Sequence, residues 1–129
     1  MTRAAIPDDL QRFILTSIGS VPYLEALLLM RRESAQAWGA ADLARRLYLP
    51  DAKAAALLAA LQAAEIALPL RQGEAGRFRY GPSPELAAVL DRVAQQYATN
   101  LSGVTDLIHS TVGKRAYDFA NAFRWRKDS

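Results

Sequence analysis

The 129-residue chain has no cysteine, which excludes a disulfide framework and any zinc site built on thiolates and makes a reducing compartment, the cytoplasm, the expected setting. Histidine is almost as scarce. With His109 the only one, a multi-histidine metal site is excluded, and no nucleophile, base and orienting group come together in the pattern an enzyme needs. Neither catalysis nor a bound cofactor is expected. Long hydrophobic runs are missing too: no apolar stretch approaches the roughly 18 residues of a membrane span, and the opening Met1-Thr2-Arg3-Ala4-Ala5-Ile6-Pro7 lacks the apolar core of an export signal. Nor does one sign of charge dominate, since 16 basic against 13 acidic residues leave only +3.

What remains is a chain that is 51% hydrophobic and rich in alanine, enough to bury one core without staples. A single domain over residues 1–129 is expected, mainly α-helical. Glycines and prolines at Gly19, Gly39, Pro50, Pro69, Gly73, Gly76 and Pro82 divide it into elements. Leu10, Phe13, Ile14 and Ile18 mark one face of a helix over about 8–18. Leu24, Leu27 and Leu28 mark a second over about 21–33, ending on Arg31 and Arg32 at the negative pole of its dipole. Trp38 suits a very short strand, and a third helix runs from Ala40 to Leu47 with Leu43, Ala44 and Leu47 on its inner side. After Tyr48-Leu49-Pro50, Asp51 is placed to cap a fourth helix whose inner face is Ala54, Leu57, Leu58 and Leu61.

Two helices joined so tightly form a helix-turn-helix. The extended runs Leu68–Arg71 and Arg77–Tyr80 flank a glycine-bearing loop and form a β-hairpin. Ser83 and Pro84 then open a long helix. Its apolar residues Leu86, Leu90, Val93, Tyr97, Leu101, Val104 and Ile108 repeat at steps of three and four along one seam. Asn100 and Gly103 mark the places where this helix would bend or split. Positive charge gathers in the second half, at Arg71, Arg77 and Arg79 and again from Lys114 to Lys127.

The order of these elements, with Ala41-Asp42-Leu43-Ala44-Arg45-Arg46-Leu47 as first helix of the motif and Leu57 to Ala67 as the end of the second, resembles bacterial winged-helix regulators of the MarR-like plan. The likeness covers about 22–100. It implies a winged helix-turn-helix core over about 22–82, extra helices at both ends, and a homodimer made through the C-terminal segment of about 83–129. The seam Leu86, Leu90, Val93, Tyr97, Leu101 and Val104 is the candidate dimer interface.

It also implies a transcriptional regulator that binds double-stranded DNA, through phosphate contacts from Arg71, Arg77 and Arg79 and base contacts from Lys53 and Gln62. Two positions depart from the pattern. Glu65 stands where glycine usually ends the recognition helix, and so must turn left-handed or turn differently. The outward positions Ala52, Ala55, Ala56, Ala59 and Ala60 offer no hydrogen-bonding edge to a base. Residues 40–67 carry three basic and three acidic groups, so a protein-interaction module that binds no DNA is the alternative reading.

Overall fold

A computed structural model describes residues 6–70 and 76–110. The chain is mainly helical with one small antiparallel sheet: α1 (Asp8–Ser17), α2 (Val21–Arg32), α3 (Ala40–Leu47), α4 (Asp51–Ala63), β1 (Ala67–Pro69), β2 (Phe78–Tyr80) and α5 (Pro84–Thr99). A sixth helix, α6, occupies 101–110. Among the described residues no single helix is long and apolar enough to cross a membrane. The chain divides into two compact units, one holding residues 22–91 and the other the stretches on either side.

In the 22–91 unit the buried set includes Leu24, Leu27, Met30, Trp38, Leu43, Leu58 and Leu61. The stripe expected on α2 is wider than its three leucines. Tyr23, Ala26, Leu29 and Met30 are buried as well, the pattern of a helix covered on nearly every side. On α4 the four expected inner residues, Ala54, Leu57, Leu58 and Leu61, are the buried ones. Asp51 does not cap it. Pro50 takes the N-cap position with extended backbone, and Asp51 becomes the first helical residue, where its carboxylate still faces the positive end of the dipole.

Among the described residues two non-glycine residues adopt left-handed backbone, and each stands where a helix ends. Tyr48 (φ 56, ψ 49) closes α3, its N–H bonding back to the Ala44 carbonyl. Glu65 (φ 63) closes the turn after α4, resolving in favour of the left-handed option at a cost of roughly 1–2 kcal/mol. It allows the Ile66 N–H to reach the Leu61 carbonyl at 2.9 Å, so the chain passes straight from helix to strand.

In the hairpin, Ala67, Leu68 and Pro69 pair with Tyr80, Arg79 and Phe78. Trp38 bridges the far side of β2, exchanging two hydrogen bonds of 2.7 and 2.8 Å with Phe78. β1 is therefore the open edge. Because Leu70 donates to Arg77 and Gly81 donates to Ile66, alternation turns the backbone of Ala67 and Pro69 outward. Proline, lacking an N–H, blunts that edge against further strand pairing.

The flanking unit contains α1, the second half of α5, and α6. Among its described residues the buried ones are Ile6, Leu10, Ile14, Ile18, Val93, Asn100, Val104 and Ile108. Arg92 binds both carboxylate oxygens of Asp9, at 2.8 and 3.1 Å, which ties α5 to α1. The long helix splits as the polar residues foretold. Asn100 ends α5 and caps α6, its Oδ1 accepting the Gly103 N–H at 3.1 Å. A Cβ on Gly103 would lie 2.4 Å from the Asn100 side chain, so only glycine leaves room for this cap.

That break ends the idea of one outward seam. Leu90, Val93 and Val104 are fully buried within the single chain, while Leu101 is 56% exposed on the next helix. Leu86 and Tyr97 are half-buried. Leu90, Val93 and Val104 are therefore core side chains, and only the other three seam residues retain exposed surface.

Candidate functional site

The sequence-derived candidates converge on the 22–91 unit, on α4 and the hairpin that follows it. Periodicity turns Ala52, Lys53, Ala55, Ala56, Ala59, Ala60, Gln62 and Ala63 to the outside of α4, and all eight are exposed. That face carries a methyl surface with one cation and one amide. It is short enough at every alanine for the helix backbone to approach a partner closely. Lys53 and Gln62 form no side-chain hydrogen bond or ion pair among the described residues, and the same is true of the exposed Arg79.

Arg77 behaves differently. Two residues before Arg79, it shares that residue's side of the hairpin by strand alternation. Its guanidinium is instead turned back onto the start of α3. Nη2 lies 3.3 Å from the Asp42 carboxylate and donates to the Ala37 carbonyl at 3.2 Å. A phosphate contact from Arg77 would require breaking both. Arg71, the remaining wing candidate, lies outside the described residues, as do the basic residues from Lys114 to Lys127.

Asp42 is the centre of this cluster. It accepts the Gly39 N–H at 3.0 Å, which satisfies a donor at the N-terminus of α3, and it pairs with Arg45 at 3.0 Å as well as with Arg77. The Gly39 N–H, followed by the charges of Arg77 and Arg45, holds the carboxyl below the usual aspartate range. On the next turn Arg46 grips Glu33 through two hydrogen bonds and lies 5.5 Å over the buried Trp38 ring. Arg46 in turn lowers the Glu33 carboxyl. Further along, Arg31 pairs with Asp91 at 2.9 Å.

Most arginines in this unit are thus committed to carboxylates of the same unit. Residues 22–91 contain eight basic and eight acidic side chains, so the +3 of the whole chain arises entirely outside them. Charge patterning alone did not reveal this, because the partners Asp42 and Arg77 are far apart in sequence. The residue that sequence reading missed is Tyr48, which is 94% exposed. Its position in the helix-helix turn was legible, but nothing in the sequence foretold a left-handed tyrosine with its ring outside.

A cleft of about 520 Å³ lies beside the hairpin, lined by Leu68, Pro69, Leu70 and Arg79. No group of three or more histidine, cysteine, aspartate or glutamate side chains among the described residues is placed to hold a metal ion. Comparison of the chain with family models, with curated proteins and with solved structures found no match.

Proposed function

We propose that residues 22–91 form a winged helix-turn-helix that binds duplex DNA, with α4 entering the major groove and the β1–β2 hairpin acting as the wing. The observation that carries this reading is the face of α4. It follows a tight turn from α3, is exposed along its whole length, is lined by side chains too small to hold the backbone away, and offers Lys53 and Gln62, which have no partner among the described residues. Alanine methyls suit contact with thymine methyls, and Lys53 and Gln62 supply the hydrogen-bonding edges. Arg79 on the wing meets a phosphate. The element order supports the fold: a helix, the Trp38 bridge, two helices, a hairpin and a further helix.

In this reading the protein is a regulator of transcription in the cytoplasm, acts by binding rather than catalysis, and works as a homodimer. Dimerisation would use surface other than the buried seam residues, with Leu101 the exposed apolar candidate. The electrostatic share of binding is small, because Arg77 is spent internally and the unit has no net charge.

The same neutrality favours a second reading, in which the alanine face docks a protein. Fluorescence anisotropy with random and library-selected duplexes at low salt separates the two. Binding tighter than about 100 μM, the weak limit of ordinary non-specific association, is expected. No binding to either duplex at that concentration overturns the DNA reading and leaves the interaction module.

A further inference from the structure

The turn between α3 and α4 places a tyrosine where the backbone favours glycine or asparagine. At φ 56 and ψ 49, Tyr48 is in the left-handed region, and its own N–H and that of Leu49 both bond to the Ala44 carbonyl. Such strain is ordinarily offset by packing of the side chain. Here it is not, because the residue is 94% exposed and the phenol has no hydrogen bond among the described residues. Glu65, the other non-glycine residue with left-handed backbone among the described residues, is also exposed, but it has no ring to leave in water. Uncompensated strain under an exposed aromatic group is the kind of feature that function rather than folding explains.

We infer that Tyr48 is a DNA-backbone contact, its phenol O–H donating to a phosphate oxygen and its ring packing on the neighbouring deoxyribose; this rests on the duplex reading above. Position supports it. Tyr48 joins the C-terminus of α3 to the N-terminus of α4, which begins three residues later at Asp51. When a helix-turn-helix docks, the second helix brings its N-terminal residues to the base edges and the first crosses the phosphate backbone, so the residue between them faces the phosphates. Chemistry supports it too. A phenol presents both a donor and an apolar plane, matching a phosphate oxygen beside a sugar. The turn is stiffened by Pro50, two residues on, so little freedom is lost when Tyr48 engages.

The test compares wild type, Tyr48→Gly, Tyr48→Phe and Lys53→Ala in thermal unfolding and in anisotropy titration on random and library-selected duplexes at two salt concentrations. Tyr48→Gly is expected to raise the melting temperature by a few degrees, since the left-handed strain is relieved. It should nevertheless weaken both duplexes about tenfold. Tyr48→Phe keeps the backbone demand and should weaken both by about three- to fivefold, the size of one neutral hydrogen bond. Neither should change the salt slope, because the phenol carries no charge. If Tyr48→Gly and Tyr48→Phe bind as wild type while Lys53→Ala binds worse, Tyr48 is no contact and the duplex reading stands. A fall in melting temperature on Tyr48→Gly would also overturn the inference, by showing that the ring stabilises the fold. If wild type binds neither duplex, the reading and the inference fall together.

Discussion

α3 and α4 are consecutive helices with similar apolar inner sides, yet their outer sides are opposites. On α3 the polar face is populated and saturated: Asp42 holds Gly39, Arg45 and Arg77, and Arg46 holds Glu33. On α4 the outer face is nearly bare, with Lys53 and Gln62 among alanines and Asp51 exposed at its start. The first helix spends its charge on organising the unit, and the second is left free to meet something else. A helix that is polar outside can therefore be structural, while one that is bland outside can be the working surface.

The sharpest way to break this contrast lies in the inner face of α4. Leu61→Ala, at a fully buried position, is expected to cost about 2–5 kcal/mol by chemical denaturation. Ala56→Ser, on the exposed side, should stay within about 0.5 kcal/mol. Equal effects would mean that the two faces of α4 are wrongly assigned.

Next in size comes the saturated side of α3. Asp42→Asn should lower stability by about 1 kcal/mol at neutral pH, as the loss of a partly exposed cap and its ion pairs does. The Asp42 carboxyl titrates lower in the folded chain than in the unfolded one. The stability it contributes is therefore complete above the unfolded value of about 4, and is lost as pH falls through the folded value. The gap between wild type and Asp42→Asn in pH-dependent unfolding should accordingly close in acid. A gap that persisted at about pH 2 would assign the effect to packing instead.

The two hairpin arginines extend the comparison to binding. If the unit binds duplex DNA as proposed, Arg79→Ala should reduce the slope of log K against log salt by about 0.9 per site. Arg77→Ala should leave the slope unchanged and lower stability, because that guanidinium is already paired with Asp42. Titration at several salt concentrations reads both, and a slope change from Arg77→Ala would mean that its internal pair opens on DNA.

The last expected effect is a gain. Glu65→Gly should stabilise the fold by roughly 1 kcal/mol in thermal unfolding, by removing left-handed strain at an exposed position. A loss would show that the glutamate side chain does more at the end of α4 than turn the chain.

How much of this was legible in the sequence depended on the range of the interaction responsible. Helical periodicity is local, so α1 and α3 appeared within a residue of their observed bounds and the four inner residues of α4 were named correctly. Turn chemistry is local as well: Asn100 and Gly103 announced the break between α5 and α6, and Glu65 marked the end of α4, although whether it turned left-handed was left open. Asp51 was misplaced by one position because an extended Pro50 and a capping aspartate signal the same helix start.

Beyond a few residues, sequence pattern was no guide to what each side chain would meet. Arg77 and Arg79 look equivalent on a strand, and only the fold, by bringing Asp42 and the Ala37 carbonyl beside one of them, made Arg77 a strut and left Arg79 without a partner among the described residues. The seam from Leu86 to Val104 is equally apolar whether it faces a second copy or its own chain, and tertiary packing buried Leu90, Val93 and Val104. Apolar spacing encodes that a face must be covered, since water penalises its exposure wherever it lies. Which surface covers it, and which charges find partners first, depends on contacts between distant segments that exist only once the chain has folded.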